Sequence, residues 1–209
     1  MVSTNVAKAA RRISRLFFST SSPGSLRVCV VGSGPAGFYT AEKILKAHGE
    51  AEVDIIDRLP TPFGLIRSGV APDHPETKVV TKQLAKVIDA KRCCFFGNVA
   101  LGSFVTLSDL RKIYDVVVLA YGSESDRALG IPGEELLGVH SAREFVWWYN
   151  GHPDCRNLNP DLINTDTAIV LGQGNVALDA TRLLLKPVPE LERSDIASHA
   201  LEALKRSAI

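Results

Sequence analysis

Acidic residues are missing from the first 41 positions of this 209-residue chain, Glu42 being the first, while Lys8, Arg11, Arg12 and Arg15 all stand before Ser25. A basic stretch with alanines, serines and no acids has the composition of an amphipathic mitochondrial transit peptide, expected here over residues 1–25 with Arg15-Leu16-Phe17-Phe18-Ser19 as a processing region. No apolar core of secretory length follows those charges. Nor does any apolar run approach the roughly 20 residues that cross a bilayer, which excludes a transmembrane helix. Residues 26–209 hold 20 basic and 23 acidic side chains, a charge of −3 within an overall +1, so no nucleic-acid partner is expected. The four cysteines, Cys29, Cys93, Cys94 and Cys155, form no CxxC pair. That argues against a metal knuckle, iron–sulfur ligation by this chain and a redox dithiol, and fits a reducing compartment; no metal is expected.

The chain does contain a dense apolar and glycine-bearing stretch. Val28-Cys29-Val30-Val31 reads as a buried strand, Gly32-Ser33-Gly34-Pro35-Ala36-Gly37 as a glycine turn, the following residues through Leu45 as a helix, and Val53-Asp54-Ile55-Ile56-Asp57 as a second strand. These are the parts of a dinucleotide-binding βαβ unit. Gly32 permits the tight turn, Gly34 lets the main chain approach a pyrophosphate, and Gly37 lets the helix pack on the strand. Phosphates would face the free amides of the helix. Asp57, twenty residues past Gly37, is placed to accept hydrogen bonds from a ribose diol.

Arg58–Pro75 is a long loop bearing Pro60, Pro62, Gly64, Gly69, Pro72 and Pro75, of the length usually reserved for function. A helix is expected over Glu76–Ala90, strands over Cys94–Leu101 and Asp115–Tyr121, and between them a helix over Leu107–Tyr114 capped by Thr106. Asp115-Val116-Val117-Val118-Leu119-Ala120 is apolar on both faces, as a central parallel strand must be. Ser141 caps a short helix ending at Tyr149, with Trp147, Trp148 and Tyr149 as packing residues. A strand is expected over Thr167–Leu171, running into a second turn, Gly172-Gln173-Gly174-Asn175-Val176-Ala177, that opens a helix through Leu185. Pro187 and Pro189 end it, and Ser194 is expected to cap a last helix reaching nearly to Ile209.

The fold class expected is α/β, a doubly wound parallel sheet, with two Rossmann-like dinucleotide-binding domains of which the second is truncated. The expected division is residues 1–25 transit peptide, 26–122 the first part of an FAD-binding domain, and 123–209 an incomplete domain for a nicotinamide nucleotide, NAD or NADP. The second unit has strand, turn and helix, but no ribose-reading strand follows within the sequence, so the chain reads as a fragment or truncated isoform. Two turns about 140 residues apart suggest two nucleotides, most simply FAD on the first and a nicotinamide nucleotide on the second. Hydride then passes from nicotinamide to flavin, and the flavin hands on electrons singly.

From Arg27 to Ile209 the sequence resembles the mitochondrial ferredoxin-NADP reductases of the adrenodoxin type. The strings that carry the resemblance are Val30 to Tyr39, Pro62-Phe63-Gly64-Leu65, Gly69 to Pro75, Ile131 to Glu135, Trp148-Tyr149-Asn150-Gly151 and Gly172 to Asp179. The resemblance implies electron transfer from NADPH through FAD to a [2Fe-2S] ferredoxin in the mitochondrial matrix, and leaves room for peripheral association with the inner membrane. It implies FAD contacts from the first turn (Gly32, Gly34, Pro35, Ala36 and Gly37), from Asp57, from Gly64 and Leu65, and from Leu101. Asp57 stands where the family often has glutamate, a shorter reach to the same diol. Gly172, Gln173, Gly174, Asn175 and Val176 are implied to cradle the NADPH pyrophosphate, and the family's arginines for the 2′-phosphate would lie beyond Ile209. The resemblance sets the loop of His74 close to the isoalloxazine, making His74 the candidate catalytic residue as a proton relay or hydrogen-bond partner. Asp179 reads as a structural ligand to neighbouring backbone. The flavin subunit of a larger reductase such as glutamate synthase shares the two turns, but its relatives carry upstream cysteine clusters that this chain lacks. The alternative from another class is a non-catalytic isoform that at most binds FAD.

Overall fold

The computed structural model of the chain describes residues 25–123 and 125–209. The transit peptide expected over residues 1–25 lies, but for Ser25, outside the described residues. Two compact units form, one from residues up to Gly64 together with Val80–Gly122, the other from Leu65–Val79 and Ser123–Ile209. The units divide at residue 122, except that the segment 65–79 packs with the second unit rather than the first.

In the first unit β1 (Arg27–Val31) leads through a glycine turn into α1 (Pro35–Ala47) and back to β2 (Glu52–Ile56). The order is that of a βαβ crossover. Val28, Cys29 and Val30 are fully buried, as are Val53 and Ile55, which is why both strands read as unbroken apolar runs. α1 starts with Pro35 at its first turn, where the missing N–H costs nothing, and Arg92 closes its far end by donating to the carbonyls of Leu45, His48 and Ala51. β3 (Cys93–Phe96) and β4 (Val116–Leu119) complete a four-stranded parallel sheet of order β3-β2-β1-β4.

Two strand expectations change here. β4 is an edge strand among the described residues, with Val116 and Leu119 about half exposed, because apolarity on both faces reports burial in an assembled sheet and nothing in the run itself names its outer neighbour. β3 stops at Phe96 rather than Leu101. Gly97 packs so close to the chain that a Cβ would lie 2.8 Å from the Pro60 carbonyl, and Asn98 takes φ +59°, turning the chain out of the strand.

Segment 65–79 contributes two short helices to the second unit, α2 (Leu65–Ser68) and α3 (Pro75–Lys78). α4 (Val80–Asp89) belongs to the first, so the helix expected over Glu76–Ala90 is two helices with a tighter turn at Val79, whose N–H donates to Glu76. α5 (Leu107–Ile113) carries the anticipated Thr106 cap as a full capping box with Asp109. α6 (Ala142–Tyr149) repeats that device with Ser141 and Glu144.

The second unit is helical, its core built of Val146, Trp148, Tyr149, Leu183, Leu191 and Leu204 among others. Trp148 and Tyr149 pack as anticipated, and Trp147 stacks on His152 with ring centroids 4.0 Å apart. α7 (Asn175–Leu185) follows the second glycine turn and ends at Lys186 before Pro187. The strand expected over Thr167–Leu171 is absent: the segment is irregular, with Ile169 and Leu171 largely exposed. A parallel strand exists only through hydrogen bonds to neighbours, and no strand among the described residues of this unit offers any. Nor does Ser194 cap the last helix. Its hydroxyl donates to the Leu191 carbonyl, closing the single turn α8 (Val188–Leu191), while α9 (Ser198–Leu204) starts after Ala197, whose N–H is held by the Tyr149 carbonyl. No helix among the described residues is long and apolar enough to cross a membrane.

Candidate functional site

The first glycine turn folds as a dinucleotide turn requires. Gly32 sits at φ +108°, and a Cβ there would lie 2.4 Å from the Ala120 carbonyl, because the ends of β1 and β4 close over it. A Cβ on Gly37 would lie 2.0 Å from the Gly32 carbonyl, so only glycine lets α1 seat on the turn. Gly34 is the contrast. Among the described residues nothing lies within 4 Å of its missing Cβ, and it caps α1 in an extended conformation with no side-chain cap, so the Ala36 and Gly37 amides stand in the first turn, where a helix offers no carbonyl four residues back. The cradle is therefore tight towards the protein and open where an anion would approach.

Asp57 is brought to this turn. Its Oδ2 accepts from the Ser33 N–H at 2.8 Å and the Ser33 hydroxyl at 2.5 Å, and its Oδ1 from the Leu59 N–H at 2.9 Å. A carboxylate has about four acceptor positions, so one stays available on Oδ1 after these three. A ribose hydroxyl fits that vacancy in hydrogen-bonding capacity. Ser33, fully buried, is the partner of Asp57 that sequence reasoning left without a role; a small hydroxyl between two turn glycines, with an acid at the end of the next strand, was the available signal.

Gly64 joins the same turn. A Cβ on it would lie 3.0 Å from the Gly34 Cα, and it sits at φ +45°. Its neighbour Phe63 takes φ +91°, a conformation few bulky side chains adopt, held by its N–H to the Ser33 carbonyl at 2.9 Å and by ring packing on Phe38 at 5.2 Å. Leu101 lies further along the chain, bridging to Val105 and packing against the Cys29–Val31–Leu110 cluster. Leu65 is exposed and opens α2 in the second unit.

Within the second unit the turn Gly172–Gly174 keeps its glycine geometry even without its strand. Gly172 sits at φ +133°, while Gly174 caps α7 in an extended conformation with nothing within 4 Å of a Cβ. Gln173, Asn175 and Val176 are exposed around it. An anionic phosphate fits this open helix start as it fits the first.

His74 precedes α3 and sets Nδ1 2.9 Å from Glu76 Oε1. The Glu76 carboxyl is held below its ordinary range by its own backbone N–H and by His74. The preceding residue, Asp73, is the most strongly held acid here. Its nearly buried carboxylate accepts from Arg182 Nε at 2.7 Å and Nη2 at 2.9 Å, and from Lys186 Nζ at 3.0 Å. That fork and the lysine hold its carboxyl well below the usual carboxylate range, against an opposing push from burial. Asp179 binds the Arg182 guanidinium, Nη2 to Oδ1 at 2.9 Å, rather than neighbouring backbone as expected. No sequence signal pairs Asp73 with residues 109 and 113 positions away. No cluster of His, Cys, Asp and Glu able to hold a metal ion occurs among the described residues.

Comparison with known proteins adds the family context. The profile of the pyridine nucleotide-disulphide oxidoreductase family matches residues 26–201. The chain is 65% identical over 200 residues to an Arabidopsis thaliana protein named NADPH:adrenodoxin oxidoreductase, mitochondrial, covering 96% of this chain and 41% of that protein. It is 57% identical over 183 residues to the Homo sapiens protein of the same name, covering 88% of this chain and 37% of that one. Among solved structures, Mycobacterium tuberculosis FprA in complex with NADPH superposes with a TM-score of 0.85 at 47% identity, covering 88% of this chain and 42% of FprA. This chain thus spans about two fifths of the length of the relatives it matches.

Proposed function

The chain belongs to the pyridine nucleotide-disulphide oxidoreductase family, and from that premise we propose that it carries the FAD-binding turn and the opening of the NADP-binding half of a mitochondrial reductase that passes electrons from NADPH through FAD to a [2Fe-2S] ferredoxin. The observation that carries the reading is the pair of helix starts at Gly34 and Gly174, each closed to nothing within 4 Å of a Cβ, one of them with an acid drawn to its turn. The ferredoxin acceptor is supported by the relatives of 65% and 57% identity, whose names give adrenodoxin as the partner of the NADPH-dependent enzyme.

FAD, when bound, supplies the exchange between a two-electron hydride donor and a one-electron acceptor. The chain's own residues do the placing. Ala36 and Gly37 present helix amides to the FAD pyrophosphate, Gly32 and Gly34 let the main chain turn and approach it, Pro35 opens the helix, Asp57 offers its remaining acceptor to the ribose, Gly64 lies against Gly34, and Leu65 is assigned by resemblance. Leu101 is assigned to the adenine side by resemblance. Asn175 and Val176 present the first amides of α7 to the NADP pyrophosphate, Gly172, Gln173 and Gly174 form the turn that leads to them, and His74 is the group that holds or moves a proton on its loop. Location in the mitochondrial matrix, with no more than peripheral membrane contact, accompanies this reading.

The test is direct. The purified chain is titrated with FAD, its visible spectrum recorded, and NADPH-dependent cytochrome c reduction measured with added [2Fe-2S] ferredoxin. A yellow protein whose Asp57→Ala variant folds but loses the colour supports the first-turn assignment; a folded chain indifferent to FAD overturns it. A second reading, FAD binding without turnover, is favoured by the exposed, strandless segment Thr167–Leu171 before the second turn. Flavin retention with no reduction of the acceptor is its signature.

A further inference from the structure

The ion cluster around Asp73 joins two segments to which the function assigns separate tasks. Arg182 on α7, the helix opened by the second glycine turn, and Lys186, the residue that ends that helix, both reach the same carboxylate. Asp179, one turn nearer that glycine turn, holds the other side of the Arg182 guanidinium. On the loop side the anchor is equally firm: Ala71 and Pro72 are buried, and Asp73 itself is 5% exposed in its side chain. His74 therefore follows a backbone pinned to α7, with only one peptide bond between anchor and imidazole. A nearly buried carboxylate held by three charged N–H donors is a discrete arrangement rather than a yielding one, since losing any partner strands charge away from water.

We propose that Asp73 is a positioning residue that couples His74 to the nucleotide turn on α7, so that a nicotinamide nucleotide seated at Gly172–Gly174 orders the His74 segment through Arg182 and Lys186. The inference rests on reading the second turn as a nicotinamide nucleotide site. An 11-residue helix transmits order at its first turn to its third as a rigid element. Ordering at the turn tightens the Arg182–Asp73 fork, and by reciprocity an intact fork strengthens nucleotide binding.

The experiment uses the 209-residue chain and NADP+ as probe. Calorimetry gives the affinity, hydrogen exchange reads the amides of residues 71–78 with and without saturating NADP+, and the imidazole resonances of His74 are followed in the same titration. In the parent chain NADP+ is expected to slow exchange of those amides about tenfold and to shift the His74 resonances. Asp73→Asn abolishes both responses and, by reciprocity, weakens NADP+ about tenfold, whereas Asp73→Glu restores part of each. Should Asp73→Asn fail to fold, Arg182→Lys, which keeps the charge but not the fork, is read instead and is expected to give a clearly reduced response. Persistence of the full NADP+ response at residues 71–78 in the variant that folds sinks the coupling, as does a parent chain that binds NADP+ without any response there. A parent chain that does not bind NADP+ at all overturns the nucleotide assignment of the second turn, and the coupling with it.

Discussion

Substituting alanine at Gly34 and at Gly37 separates binding from folding, because the two glycines are required for different reasons. At Gly34 the backbone is extended, φ −76° and ψ −177°, which any residue adopts, and the added methyl meets no protein atom within 4 Å. Restricting the unfolded chain contributes about 0.4–1 kcal/mol of stability, and replacing a glycine N-cap by alanine costs a similar amount, about 0.5–1 kcal/mol. The two offset, so apo stability is expected to change by less than about 1 kcal/mol. The methyl does, however, stand in the open side of the turn, where a pyrophosphate must approach the main chain. Pushing a phosphate back weakens its contacts with several amides at once, and a loss of about 100-fold in FAD affinity, about 2.7 kcal/mol, is expected. At Gly37 the same methyl would lie 2.0 Å from the Gly32 carbonyl, which is backbone and cannot rotate aside. Overpacking costs about 1–3 kcal/mol, and the upper end is expected where the clash is with backbone. Urea unfolding of the apo chain and quenching of FAD fluorescence on binding measure the two quantities independently. The reasoning fails if Gly34→Ala binds FAD like the parent, or if Gly37→Ala unfolds at the parental midpoint.

Tyr149→Phe is expected to stabilise the second unit by about 1 kcal/mol, because the Tyr149 hydroxyl is fully buried with no hydrogen-bond partner among the described residues and its desolvation is uncompensated; destabilisation on urea unfolding would refute this. Asp73 has a carboxyl depressed in the folded chain, so its stabilising contribution is complete above the unfolded value near pH 4 and declines as the pH falls from there towards the lower folded value. Asp73→Asn should therefore lower stability at pH 7 by about 3 kcal/mol and flatten the acid limb of a stability–pH curve, and a curve parallel to that of the parent counts against the ion cluster. All four cysteines are buried, and burial with the charge of Asp54 pushes the Cys29 thiol up to about 12. The native chain should show no thiol that reacts rapidly with Ellman's reagent at pH 8, against four in denaturant; a fast native thiol contradicts the packing.

What the sequence revealed depended on how local each signal was. The β1–turn–α1–β2 unit, the Thr106 and Ser141 caps and the stop at Pro187 all follow from residues within a few positions of one another, and all appear in the structure. Strand position is different. The Val116–Leu119 run carries the composition of a central strand and forms an edge, because pairing partners come from elsewhere in the chain. Thr167–Leu171 has β-branched and apolar residues and no strand beside it, so it forms none. At the candidate site, Asp57 was legible by its spacing from Gly37, but its bond to Ser33 was not, since both hydrogen-bond donors come from the turn itself.

The hardest feature to read from sequence was also the one on which the proposed coupling rests. Asp73 and His74 lie in a loop that directly follows the Phe63–Gly64 corner of the first turn, whereas Arg182 and Lys186 are spaced as any solvated basic pair on a helix would be. Only the fold shows that these cations have a buried acid opposite them. The Arg58–Pro75 loop is divided between the two units. Its first residues, through Gly64, belong to the unit that carries the Gly32 turn, and its remainder is tied by charge to the helix of the Gly172 turn. A mutation at Asp73 should therefore act on nucleotide binding and on His74 together, while a mutation at Gly64 should act on the first turn alone.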